Sequence, residues 1–228
     1  MLIPQSIRQS ETLVRVVPFA IFIVLTFCQD LFGGNARYWL YVVKTLLGAW
    51  MIWEVRSLIP EMRWRVSLEA IAVGLLVFAI WVGLDPLLKV GGLSYPKLMS
   101  GGQPWNPHVQ FGESTMLAWM FVFVRIAGST LVVPPLEEVF FRSWLYRYIA
   151  KPDFQSVPLG KFLWLPFVVS SVVFGLEHRE WLAGILAGVL YAGLVCWKKK
   201  LGDAMVAHGI TNLLLGGWVV AKNQWQYW

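Results

Sequence analysis

Charge is scarce in this chain. Asp, Glu, Lys and Arg make up 14% of its 228 residues and hydrophobic residues 57%, where an ordinary soluble domain carries about 25% charge. That shortage leaves little sequence for a separate soluble domain. Cysteine is scarcer still: Cys28 and Cys196 both sit in apolar runs, which excludes a disulfide framework. The first apolar run lacks a small-residue cleavage site and reads as an uncleaved span rather than a signal peptide. Internal repeats and low-complexity tracts are absent. The net charge of +6 suggests nucleic acid at first sight. In a multi-spanning protein, however, surplus Lys and Arg mark cytoplasmic loops, and no nucleic-acid partner is expected.

What the chain has is long apolar runs. Stretches of about 20 apolar residues read as membrane helices, here near 12–33, 37–55, 66–88, 162–178, 181–197 and 201–221. The stretch 114–150 is too long for one straight crossing, and Pro134 and Pro135 predict a kink or break. The fold class is therefore all-α, a polytopic membrane protein with seven or eight transmembrane helices. The 14 tryptophans and 7 tyrosines suit the two interfacial belts. Between Pro86 and Ser114 the glycines Gly91, Gly92, Gly101 and Gly102 and the prolines Pro96, Pro104 and Pro107 mark a long loop. Residues 1–113 form an N-terminal part and 114–228 a second one.

The basic residues orient the chain. With the N-terminus inside and seven crossings, Arg8, Arg56, Arg63, Arg65, Arg147, Lys151, Lys161, Lys198, Lys199 and Lys200 fall inside. Arg37, Lys89, Lys97, Arg179 and Lys222 fall outside. Twice as many inside puts the N-terminus in the cytoplasm.

Three polar clusters interrupt the apolar sequence: Glu137-Glu138-Val139-Phe140-Phe141-Arg142, Phe174-Gly175-Leu176-Glu177-His178 and His208-Gly209-Ile210-Thr211-Asn212. An ionisable side chain at a membrane helix centre costs about 2.5–3.5 kcal/mol on insertion scales, so these residues need a reason to be there. Glu138 and Arg142, four apart, share a helix face and can pair. Glu137 points about 100° away, free for a water or a substrate. His208 and Asn212 also share a face, and their N–H groups suit a developing oxyanion. Plain structural readings stand beside these: an ion-pair cluster for the glutamates, an interfacial cap for His178, and an interhelical hydrogen bond for His208 and Asn212. Measured from the inner helix ends, Glu137 and His178 reach similar depths. His208 falls about 10 Å short, so its helix must start deeper, tilt or bend. Lys44 is expected to snorkel or pair, and Arg125 to reach a carboxylate or a substrate terminus.

Glu137 or Glu138 with His178 and His208 supplies a zinc-type donor set, but no His-Glu-x-x-His or inverse motif fixes ligand spacing. The same residues serve metal-free hydrolysis with Glu137 as general base. Chemistry favours no cofactor, with zinc on Glu138, His178 and His208 the alternative.

The order Glu-Glu-x-x-x-Arg, Phe-x-x-x-His, His-x-x-x-Asn, each in its own apolar segment, resembles the CPBP family. These are the CAAX prenyl protease 2 (Ras-converting-enzyme type) proteins and their bacterial relatives, also called Abi. Val133-Pro134-Pro135-Leu136 and Ser170-Ser171-Val172-Val173-Phe174 resemble the family's lead-ins, and the likeness covers about 114–221. It implies an intramembrane endopeptidase, described as metal- and later as glutamate-dependent. Glu137 matches the water-activating residue, His178 its partner, His208 and Asn212 the oxyanion pair, and Glu138 and Arg142 the supporting ion pair. Ser143 departs from the usual glycine, and Glu177 and Arg179 flank His178 where the family is apolar. The chain also looks like a bacterial branch linked to surface-protein sorting. The implied partner is a membrane-anchored or lipidated protein, met in the bacterial cytoplasmic membrane. A non-catalytic scaffold or immunity-type binding protein is the alternative. A small transporter is a third reading, without the inverted repeat it calls for.

Overall fold

The computed structural model describes residues 3–31, 33–98, 103–113 and 115–228. Phe32 in the first expected span, Gly101 and Gly102 in the long loop, and Ser114 at its end lie outside the described residues. Among the described residues every regular element is a helix. In order they are α1 (Gln5–Arg8), α2 (Leu13–Leu31), α3 (Ala36–Val55), α4 (Leu68–Val90), α5 (Pro107–Phe111), α6 (Met116–Leu131), α7 (Val133–Glu138), a π-helical segment (Val139–Leu145), α8 (Tyr146–Ala150), α9 (Trp164–Leu176), α10 (Trp181–Lys198) and α11 (Leu201–Lys222), with short 3-10 turns at Phe154–Ser156 and Trp225–Tyr227. Four described segments are long and apolar enough to cross a membrane: Leu68–Val90, Met116–Ala150, Trp181–Lys198 and Leu201–Lys222. Leu13–Gln29 and Trp164–Leu176 are apolar but shorter.

Local chemistry sets the helix ends. Ser67 accepts the Ala70 N–H at 3.1 Å to start α4, and Thr115 accepts that of Ala118 at 3.2 Å to start α6, each satisfying a donor with no intrahelical partner. Lys199, left-handed with φ 56°, closes α10. The ambiguous stretch is one helical segment of 35 residues, Met116–Ala150, about 52 Å if straight. It is interrupted at Val132, immediately ahead of the prolines. Pro134 and Pro135 lack the N–H groups that would bond the carbonyls of Thr130 and Leu131.

The chain divides into two compact units. One comprises residues 1–60, 102–137 and 212–228, the other 61–101 and 138–211. In the first, α3 packs on α2 and α6. A Cβ on Gly128 would come within 2.9 Å of the Thr45 side chain, so the missing side chain is what lets α6 approach α3. Tyr38, Tyr41, Trp105 and Phe121 form the aromatic core. The Arg125 guanidinium lies over the rings of Tyr41, Trp105 and Trp228 at 4.8, 4.7 and 5.5 Å. Lys44 donates to Thr26 at 3.0 Å and sits over Tyr41. Aromatic faces thus lie against both cations.

In the second unit α9 and α10 meet along a stripe of small residues. A Cβ on Gly184 would lie 2.9 Å from Gly175 Cα, and one on Gly188 would lie 2.8 Å from the Ser171 carbonyl oxygen. Small residues four apart are how membrane helices approach closely. The register, Gly184 on Gly175 and Gly188 on Ser171, runs the two helices in opposite directions. The start of α11 is wholly buried from Leu201 to Ala207. Gly202 lies against the Arg63 carbonyl, and Asp203 accepts from Ser67. The helix therefore begins inside the packed body.

Candidate active site

Within the second unit, Glu138, Arg142, His178 and His208 gather around one phenylalanine. Glu138 is 0% exposed, Arg142 2%, His208 4% and Phe174 1%. Glu138 and Arg142 meet through Oε2 and Nε at 3.3 Å, and His208 Nδ1–H donates to Glu138 Oε1 at 3.1 Å. Arg142 also donates to the Gly188 carbonyl at 3.3 Å, an oxygen of the small-residue stripe. Its guanidinium lies 4.5 Å over the Phe174 ring. Phe174 is tilted toward His178 at 5.0 Å and presents an edge contact to His208 at 5.9 Å. Phe174 is thus the hub of this cluster.

Hydrogen bonds fix the ring states. His178 Nδ1 lies 2.7 Å from the Phe174 carbonyl oxygen. A carbonyl only accepts, so Nδ1 carries the proton, and in the neutral ring Nε2 holds the lone pair. Trp81 of α4 meets the same ring edge-on at 5.3 Å. The half-buried His178 is thus held on two sides, more than an interfacial cap requires. With Glu138 ionised, His208 Nδ1 is also the protonated nitrogen. Nε2 donates as well only when the ring is an imidazolium, and the Glu138 carboxylate is placed to balance that charge.

Glu137 and Asn212 fall in the first unit, at two of the points where the chain passes between the units. Glu137 is buried at 7% exposure. Asn212 is half-buried, and its Nδ2 donates to the Ser129 carbonyl at 2.8 Å. That carbonyl belongs to the last turn of α6, where acceptors lack helical donors. Asn212 therefore makes the interhelical bond of its structural reading. It keeps one further N–H, because a carboxamide has two.

As a zinc set, Glu138, His178 and His208 offer two Nε2 atoms, but both Glu138 oxygens already carry a partner. A metal would compete with Arg142 and with the Nδ1–H of His208.

Two features escaped the sequence reading. Ser143, the departure from glycine, is 0% exposed and donates to Glu61, while Arg147 Nη2 reaches both Glu61 and the Ser143 hydroxyl at 2.9 Å. The hydroxyl thus adds bonds to both members of the Glu61–Arg147 ion pair, bonds a glycine could not make. Tyr191 stacks on His208, with ring centroids 5.0 Å apart and planes 17° apart. No spacing rule pairs position 191 with 208, since the two lie on different helices.

Among the described residues every regular element is a helix and four segments are long and apolar enough to cross a membrane; with ionisable side chains buried as well, this is an integral membrane protein. Residues 117–214 match the family described as type II CAAX prenyl endopeptidase, Rce1-like, and the matched segment holds all three polar clusters. A stretch of 105 residues, 45% of the chain, is 31% identical to dipeptide and tripeptide permease A of Enterobacter sp. (strain 638). A stretch of the same length is 32% identical to dipeptide and tripeptide permease A of Citrobacter koseri. Each match covers 19% of the permease, so the chain spans about a fifth of the length of the curated relatives it matches. No solved structure matches the chain.

Proposed function

We propose that the protein is an intramembrane endopeptidase that hydrolyses a peptide bond of a membrane-anchored or lipidated protein. The observation that carries this reading is that the Rce1-like segment, 117–214, contains a buried carboxylate–imidazole–guanidinium set, Glu138, His208 and Arg142. In this reading Glu137 takes a proton from water as the oxygen attacks the peptide carbonyl, and later gives it to the leaving amine. His178, protonated on Nδ1, accepts a water hydrogen at Nε2 and so orients the attack. His208, as an imidazolium balanced by Glu138, donates Nε2–H to the oxyanion, and the second Asn212 N–H joins it. Seven crossings, with α3 and the two shorter apolar helices spanning, put the N-terminus in the cytoplasm, and we assign the protein to the bacterial cytoplasmic membrane.

Zinc is the runner-up: when bound it would acidify water and polarise the carbonyl. The permease likeness supports a transport reading, and peptide flux into proteoliposomes tests it. The deciding experiment maps protein termini in membranes of cells carrying wild type or Glu137→Gln. New termini seen only with wild type are the expected result. Identical termini, with the variant stably inserted, would favour a non-catalytic binding protein.

A further inference from the structure

Tyr191 on α10 is buried to 1% exposure, far from any polar cluster in the sequence. Its ring lies nearly parallel to the His208 imidazole, 17° between planes and 5.0 Å between centroids. Its hydroxyl donates to Thr211 Oγ1 at 2.8 Å. Thr211, three residues beyond His208 on α11, donates in turn to the carbonyls of Gly74 at 3.0 Å and Ala207 at 3.1 Å. Gly74 is where α4 comes closest to α11: a Cβ there would lie 2.7 Å from the Ala207 carbonyl oxygen. The phenol is therefore tethered through a hydroxyl whose own place is set by two helix backbones. The hydrogen bond to Glu138 holds the imidazole at one edge, through Nδ1, and the Phe174 edge meets it at 5.9 Å. The parallel Tyr191 ring bears on its face and so adds a restraint on the plane of the ring. The face of an aromatic ring also attracts a cation, which suits a histidine that must donate from both nitrogens.

We propose that Tyr191, held by Thr211, is a positioning residue that fixes the plane of His208, so that Nε2–H points steadily at the developing oxyanion. This rests on the reading of His208 as an oxyanion donor. Tyr191 touches neither substrate nor water in this scheme and acts only through His208.

The chain has three histidines, His108, His178 and His208, so ring-labelled histidine in the detergent-purified full chain gives three sets of NMR signals. In wild type, His208 shows one sharp set of ring signals. Tyr191→Leu is expected to split or broaden the His208 signals and leave those of His178 and His108 unchanged. Tyr191→Phe keeps the stack and loses the tether, as does Thr211→Val, and each gives a smaller change. Thr211→Ser restores the wild-type signals. With a substrate identified by terminus mapping, Tyr191→Leu lowers kcat by about 100-fold, the scale of a misplaced catalytic group, and leaves KM in place. His208 signals in Tyr191→Leu identical to wild type would overturn the positioning role whatever the activity. Disturbed signals in a protein whose wild type cleaves nothing would keep the positioning and remove the protease reading.

Discussion

Glu138 and His208, 70 residues apart in the chain, share a buried hydrogen bond of 3.1 Å. Glu138 also faces Arg142 at 3.3 Å, so one carboxylate balances two potential cations in a membrane interior. Removing one partner of a buried pair leaves the other uncompensated, at about 3–5 kcal/mol. Glu138→Gln can still accept the His208 Nδ1–H but cannot neutralise Arg142. It is expected to lose stability of that order in thermal unfolding in detergent. The double variant Glu138→Gln, Arg142→Gln should recover part of the loss, since the orphaned charge is gone. Strictly additive effects of the two changes would show that the pair is not coupled.

Asn212 allows stability and chemistry to be separated. Its bond to the Ser129 carbonyl is of a kind worth about 0.6 kcal/mol on average between membrane helices. An oxyanion donor is worth about 100- to 1000-fold in kcat. Asn212→Ala is therefore expected to unfold almost normally yet cleave far more slowly. A cleavage loss no larger than the stability loss would leave Asn212 with its structural role alone.

Helix positions were legible because lipid forces each crossing to be an uninterrupted apolar run, and the runs read near 181–197 and 201–221 are helices Trp181–Lys198 and Leu201–Lys222. Pairings at four-residue spacing were legible too, since Glu138 and Arg142 do meet. Contacts between helices were not. The Tyr191–His208 stack, the Glu61–Ser143–Arg147 set and the ring of aromatics around Arg125 all join positions that no periodicity links. Counting from Leu201 assumed a surface start, whereas Gly202 lets α11 begin packed against the Arg63 backbone, a contact that no spacing rule shows.

The small-residue stripe sets how closely α9 and α10 approach, and α9 carries Phe174 while His178 follows directly on it. Gly188→Ala would put a Cβ 2.8 Å from the Ser171 carbonyl oxygen, a rigid backbone neighbour. It would also disturb the carbonyl that Arg142 bonds. Overpacking of this kind costs about 1–3 kcal/mol. The expected result is a lower melting temperature in detergent. Gly193→Ala, on the same helix with open space around its Cβ position, should not lower it, since alanine is the better helix former. Equal melting of both variants with wild type would mean that the close approach carries no stability.

The loop after α4 is clipped to the segment that follows His178. Lys97 donates to Asp85 and Glu180, and Tyr95 donates to Glu180 at 3.0 Å. Trp181 Nε1–H bonds the Pro96 carbonyl at 2.9 Å, and the Leu98 N–H bonds that of Arg179 at 3.2 Å. Burial alone pushes the Lys97 ammonium down, but its bonds to Asp85, Glu180 and Tyr95 outweigh that and hold its pKa above the ordinary lysine value. Burial pushes the Tyr95 hydroxyl up to about 12, with Glu180 adding to the rise and Lys97 opposing it. Both groups hold their protons more tightly when folded than when unfolded, so their contribution is complete below about pH 10, the ordinary range of both. It is lost as the pH rises above that, through the folded values. Proteolysis between residues 93 and 98 by an alkaline-active protease, corrected for the enzyme's own pH profile, should stay low from neutral pH to about pH 10 and climb above it. Lys97→Met should be cut at neutral pH. A wild-type loop cut equally at neutral and alkaline pH would show that these bonds do not hold it.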